Sequence, residues 1–151
     1  MLRTQLTDAL KAAMKARQER AVSTLRLILA ALKDRDIAAR SRGVDDGISE
    51  DEIRQMLQNM IRQRREAITM YEQGGRCELA QQEAEEIAII EGFLPRQLSE
   101  AEIAQAIKAV IAETGAKGIK DMGRAMGILK ARYAGQMDFG KASAMVKGLL
   151  A

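Results

Sequence analysis

An all-α fold in two helical domains is what this chain predicts, and three observations carry the prediction. Apolar residues recur at helical rather than strand spacing through most of the sequence. A single proline, abundant Ala and helix-forming charged residues, and few β-branched runs favour helix over sheet. The segment YEQGGRCELAQQEAEEIAIIEGFLP, Tyr71 to Pro95, stops one helix at Gly74-Gly75, starts another rich in glutamate, and ends that one before Pro95. It marks a seam between a four-helix domain, residues 1–94, and a small three-helix domain, residues 95–151.

The elements follow in order. Leu2, Leu6, Ala9, Leu10, Ala13 and Met14 lie on one stripe of a first amphipathic helix. A second is expected from about Glu19 to Arg40, with Val22, Leu25, Ile28, Leu29 and Leu32 as its apolar side. SRGVDDG, Ser41 to Gly47, is a loop by its turn chemistry. Ser49 with Glu52 has the spacing of a capping box and opens a long third helix, which runs to Gln73 and is closed by the two glycines. The fourth helix spans about Cys77 to Glu91. Beyond Pro95 the pattern restarts. Ser99 with Glu102 is a second capping box, and Ile103, Ile107, Val110 and Ile111 give a fifth helix closed by Gly115. Asp121 is expected to cap a sixth, with Met122, Met126, Leu129 and Tyr133 on one face. Asp138 is expected to cap a seventh, with Phe139, Ala142, Val146 and Leu149 inward. The second domain is near the lower size limit for independent stability, so it is expected to dock on the first or move as a semi-independent lobe.

Composition bounds the function. Of 151 residues, 47% are hydrophobic but only four are aromatic, so aliphatic side chains and nine Met must fill the cores. The single Cys77 excludes an internal disulfide and suits a reducing compartment. No apolar run approaches the roughly 18 residues a membrane span needs. The N-terminal stretch has the basic character of a transit peptide, but Asp8 and Glu19 count against that reading, and a cytoplasmic location is expected. Residues 1–93 hold 15 Lys and Arg against 16 Asp and Glu, and residues 94–151 hold 9 against 5, which assigns the basic excess to the last third of the chain.

Two charged residues violate the apolar pattern. Arg64 falls within the face defined by Leu57, Met60, Ile61, Ile68 and Tyr71, and Glu83 lies midway between Leu79 and Ile87 with Glu86 beside it. A lone buried charge is costly, so Arg64 is expected to meet Glu83 or Glu86 across the helical hairpin. The main reading is an ion pair that fixes register; a ligand-facing charged pocket is the alternative.

No catalytic residue is assigned. The absence of histidine removes Ser-His, Cys-His and His-metal chemistry. Cys77 stands alone at a helix start, with no base near it in sequence, and reads as an unreactive thiol. Glu78, Glu83, Glu85, Glu86 and Glu91 follow no cation-binding loop, so no metal and no cofactor is expected. Gly135 to Lys141 mimics the start of a phosphate-binding loop, but Ala142 stands where a Ser or Thr belongs and the preceding segment is helical. Met122, Met126 and Met145 read as core rather than as a peptide groove. What remains is basic. Lys117, Lys120 and Arg124 cluster around the start of the sixth helix with Lys130 beyond, a pattern suited to backbone phosphates. With so few aromatics to stack on bases, the expected nucleic acid is a folded RNA recognised by shape.

Three stretches, taken together, resemble the GatB/YqeY family, which comprises the tail of the B subunit of tRNA-dependent amidotransferases and its free-standing relatives. They are STLRLILAALKD (Ser23 to Asp34), the block from Ile61 to Ile103 with Arg64, Tyr71, Arg76, Leu79, Glu83, Glu86, Leu94 and Pro95, and Asp121-Met122-Gly123-Arg124. The departures are small: Ala67 stands where Ser is common, and Cys77 where a polar residue is usual. The resemblance implies two helical domains, and no membrane partner is expected. It also implies a tail that helps hold misacylated tRNA, with kinase-like and amide-transfer chemistry in a separate catalytic domain. Carbon–nitrogen ligase activity with glutamine as amide donor would then belong to an amidotransferase or aminoacyl-tRNA synthetase component acting as partner. On this reading Lys117, Lys120, Arg124 and Lys130 contact RNA, and Arg64, Tyr71, Arg76, Glu83, Glu86 and Pro95 hold the hinge. A protein–protein adaptor, with an apolar groove on the small domain, is the alternative.

Overall fold

The computed structural model describes residues 1–151 and contains seven α-helices, one 3-10 turn and no strand. The helices are α1 (Leu2–Lys15), α2 (Glu19–Arg40), α3 (Glu50–Gln73), α4 (Cys77–Glu91), α5 (Glu100–Thr114), α6 (Met122–Arg132) and α7 (Phe139–Leu150), and the 3-10 turn is Ile119–Asp121. They form two compact units, Met1–Leu94 and Pro95–Ala151.

In the first unit, Leu6, Ile28, Ile53, Met56, Leu57, Ile61 and Ile90 are almost wholly removed from water and make a single core shared by α1 to α4. At roughly 1.5–3 kcal/mol for each large apolar side chain, this burial is the main force holding four otherwise marginal helices together. Tight turns set the helix order. After α3, Gly75 takes φ +71°, the Arg76 amide donates to the Tyr71 carbonyl at 2.7 Å, and the Gly75 amide donates to Glu72 at 3.2 Å. These two bonds satisfy carbonyls left open at the helix end and reverse the chain into α4. The turn from α1 to α2 has the same bond pattern, Gln18 to Ala13 and Arg17 to Met14. There, however, Arg17 rather than glycine occupies the left-handed position, at φ +56°.

One ion pair ties the α1–α2 hairpin to the loop before α3. Arg3 Nη2 donates to Asp36 Oδ1 at 2.8 Å and to the Ile48 carbonyl at 2.9 Å, while the Ile48 amide donates to the same Asp36 oxygen at 2.9 Å. The Arg3 hydrogen bond is the first cause of a lowered Asp36 pKa, assisted by the Ile48 amide and opposed by burial. Gly47, at φ +88°, lies so close that an added Cβ would stand 2.6 Å from Arg3 Nη2 and 2.8 Å from Asp36 Oδ1.

The second unit packs Ile107, Val110, Ala125, Leu129, Met137 and Val146 into a separate core. Met126 is buried there, and Met122 and Met145 pack against it, so these methionines fill the interior.

Several local expectations need correction. Met14 is half exposed, because α1 ends one residue later and the chain turns away. The capping box is complete at α5, where Ser99 and Glu102 bond reciprocally, but only half formed at α3. There Ser49 accepts the Glu52 amide, while the Glu52 carboxylate turns to the Ser49 hydroxyl at 3.4 Å and to Arg42 at 3.8 Å. Asp121 precedes α6 but bonds none of that helix's amides; its carboxylate reaches back to the Lys117 amide at 3.1 Å. Asp138 does cap α7, accepting from Gly140 at 2.9 Å. In α7 the inward residue is Leu150, and Leu149 is 53% exposed.

Candidate functional site

Two charged assemblies stand out, one in each unit. In the first unit, Arg64 projects from α3 against α4. Its Nε donates to Glu86 at 2.8 Å, lies 4.0 Å from Glu83, and its Nη1 donates to the Met60 carbonyl at 3.2 Å. With side chains only 12% exposed for Arg64 and 15% for Glu86, the pair is largely withdrawn from water. Arg20 of α2 completes the group, 3.3 Å from Glu85 and 4.0 Å from Glu86. Burial, then the nearby Glu86 charge, pushes the Glu83 pKa above its ordinary value, with Arg64 pulling the other way. Chemically this is a three-helix staple: two guanidinium groups hold three carboxylates, and no nucleophile or base stands beside them.

Of the residues expected to hold the hinge, Arg64, Glu83 and Glu86 are therefore brought together between α3 and α4. Tyr71 and Arg76 meet only through the backbone bond of the α3–α4 turn, and the Arg76 side chain is exposed. Pro95 is exposed and opens the second unit. Cys77 is a free, exposed thiol and lines a shallow cleft with Gly75, Arg76, Glu78 and Leu79.

In the second unit the left-handed Gly115 ends α5 and throws the chain into the segment Lys117 to Asp121. The bond from the Lys117 amide is the first cause of a lowered Asp121 pKa, and Arg124 and Lys120 add to it. An ionised Asp121 thus sits among the cations expected to meet phosphate. Arg124 is also engaged: its Nη2 donates to the Thr114 carbonyl at 2.8 Å and so closes the end of α5. Lys117, Lys120 and Lys130 are exposed and in no ion pair. Several other cations of this unit differ, since Arg132 pairs with Glu113 at 2.7 Å, Lys141 with Glu100 at 2.8 Å, and Arg96 with Glu102 at 2.8 Å. The Arg96 bond is the main reason that the Glu102 pKa falls to about 2.

Three features escape a reading of the sequence alone. Arg20 lies four and eight residues before Thr24 and Ile28, both buried, so it violates the α2 pattern as Arg64 violates that of α3. Asp36 does the same between Leu32 and Ala39. The third is the charge of the first hairpin. Residues 1–40 hold nine Lys and Arg against four Asp and Glu, whereas residues 41–93 hold six against twelve. Averaging over the whole domain hides an excess larger than that of the C-terminal segment.

The fold and its ion pairs define an all-α helical protein of two compact units. The chain belongs to the YqeY-like protein family, whose model matches residues 3–150. No curated protein sequence matches it. No helix is long and apolar enough to cross a membrane.

Proposed function

We propose that this chain is a free-standing GatB/YqeY-type module that binds tRNA or another structured RNA as a cytoplasmic accessory to tRNA-dependent amidation. It carries no catalytic site of its own on this reading, and any carbon–nitrogen ligase activity resides in an amidotransferase or synthetase partner. The observation that carries the reading is the set of exposed, unpaired cations Lys117, Lys120 and Lys130, in a unit whose arginines are all engaged internally. Cations without internal partners are available to displace counterions from a phosphate backbone. Arg124 contributes by holding the end of α5, and so the loop that carries Lys117 and Lys120.

The test is tRNA binding by fluorescence anisotropy across a salt series. Affinity should fall steeply with salt, and Lys117→Glu with Lys120→Glu and Lys130→Glu should flatten that slope by about one for each phosphate no longer neutralised. Binding that ignores salt, or a slope unchanged in the triple variant, refutes the reading. Glutamine-dependent amidation by the isolated chain would refute the absence of catalysis.

A further inference from the structure

The strongest unassigned feature is the outer face of the α1–α2 hairpin. Arg26, Lys33 and Arg40 stand seven residues apart on α2, so they form a line of cations about 10.5 Å from one to the next along the axis. All three are exposed and in no ion pair. Beside them runs a second exposed stripe, Leu27, Ala30, Asp34 and Ile37, at alternating spacings of three and four. The spacing is that of a helix–helix seam, apolar at three of its four positions and interrupted by Asp34, with cations along one flank. Leu27 is 50% exposed and Ile37 is 49% exposed, although each is large and apolar.

The adjoining groove supports the same reading. One cleft of about 310 Å³ is lined by Arg3, Leu29, Lys33, Asp36, Ile37 and Arg40. A second, of about 250 Å³ at the α1–α2 turn, is lined by Arg17, Glu19, Val22, Ser23 and Arg26. Asp36 is bonded by Arg3 and also feels the Arg40 charge, and Glu19 and Asp34 are the other acids beside Arg17, Arg26, Lys33 and Arg40. Arg17 adds a second argument. It holds a left-handed backbone that glycine would adopt without steric strain, and it lines the second cleft.

We infer that this face docks an acidic amphipathic helix from a partner protein. A partner helix has the same pitch, so acidic side chains seven apart fall in register with Arg26, Lys33 and Arg40, and its apolar stripe covers Leu27 and Ile37. A phosphate backbone would meet the cations but has nothing to place over the two apolar side chains. This face belongs to the first unit and the proposed RNA contacts to the second, so either reading can fail alone.

The test uses a four-heptad peptide of about 28 residues with Leu at the seam positions and Glu on both flanks, a sequence that self-repels at neutral pH and gains helix on a basic partner. Added to the full chain, it should gain helicity by circular dichroism and shift the amide resonances of α1 and α2. Arg26→Glu with Lys33→Glu and Arg40→Glu should weaken binding at least about tenfold. Leu27→Ser with Ile37→Ser should do the same with charge unchanged, since both apolar contacts would be lost. Lys117→Glu with Lys120→Glu should leave it unchanged. If the reversed triple variant fails to fold, Arg26→Gln with Lys33→Gln and Arg40→Gln replaces it. The inference is overturned if the peptide does not bind, if the perturbed amides lie outside α1 and α2, or if the Leu27/Ile37 variant binds normally. It is equally overturned if polyglutamate or tRNA occupies the face as well as the peptide does.

Discussion

Replacing Arg64 with alanine should destabilise the first unit by about 2–4 kcal/mol. Three contributions from the structure set that range. The bond to Glu86 is charge-assisted, short and little exposed, worth roughly 1.5–3 kcal/mol. The bond to the Met60 carbonyl, at 3.2 Å, adds about 1 kcal/mol. Against these, Arg20 remains 4.0 Å from Glu86, so that carboxylate is not stranded and the full 3–5 kcal/mol of an orphaned buried charge is not reached. For a unit of this size the loss corresponds to a melting temperature lower by about 10 °C or more. The pH dependence identifies the cause. Glu83 has a raised pKa in the folded state, so its charge opposes folding above that value, and stability recovers as pH falls through it. Arg64 pulls the Glu83 pKa down, so its removal widens the window, and the deficit at pH 7 should shrink towards pH 5. Thermal unfolding of both proteins at the two pH values decides the matter. An unchanged melting temperature would show that the pair contributes nothing, and a deficit independent of pH would show that the Glu83 charge plays no part in it.

Other expectations follow from the same geometry. Gly47→Ala should cost about 2 kcal/mol or more by chemical denaturation, because the methyl group must displace Arg3 or Asp36 and the backbone is left-handed there; a loss below about 0.5 kcal/mol would refute it. Asp36 has a lowered pKa, so its contribution is complete above the ordinary aspartate range and is lost as pH falls through the folded value. Asp36→Asn should therefore flatten the acid limb of the stability profile, and an unchanged limb would refute the assignment. Glu83→Gln should raise the melting temperature at pH 7, with an effect that diminishes as pH falls, because the folded-state carboxyl is held above its ordinary pKa by burial and by Glu86; an effect that grows towards acid pH would refute this. Arg17→Gly should stabilise by about 0.5–1 kcal/mol in urea unfolding while weakening capture of the acidic peptide; no gain in stability would mean that the left-handed backbone carries no strain.

Much of the fold is legible in the sequence because helix boundaries here coincide with strong local signals. The Gly74-Gly75 pair, the Ser99–Glu102 box and Gly115 each fix a helix end through bonds within a few residues, and sequence displays such bonds directly. The misses share another cause. Asp121 has the position and chemistry of a cap, but the 3-10 turn before α6 brings the Lys117 amide within its reach first. Leu149 and Leu150 are chemically equivalent, so only the last turn of α7 against its core decides which is buried. In the ion network, Arg64 is legible because it interrupts a long apolar stripe. Arg20 and Asp36 interrupt theirs as plainly, but near a helix start and beside a half-exposed flank, where a charge is usually solvated.

Net charge by segment is a poor guide to where this chain can bind anything, and the two units show why. Arg132, Lys141 and Arg96 count towards the basic excess of the second unit, yet each faces a carboxylate within 3 Å and has little field left for a ligand. Arg3 and Arg20 are likewise taken in the first unit, by Asp36 and by the α4 glutamates. Once the paired cations are set aside, two clustered sets stand out: Lys117, Lys120 and Lys130 around α6, and Arg17, Arg26, Lys33 and Arg40 along the α1–α2 hairpin. They differ in what lies beside them. The α6 set has Gly123, Gly127 and one exposed isoleucine, Ile119, near the turn, so its surface offers chiefly charge. The α2 set adjoins two half-exposed aliphatic side chains in helical register. Polyanions need only the first kind of surface, whereas an amphipathic helix needs the second. It is the company the unpaired cations keep, more than their number, that separates the proposed RNA surface from the proposed protein surface.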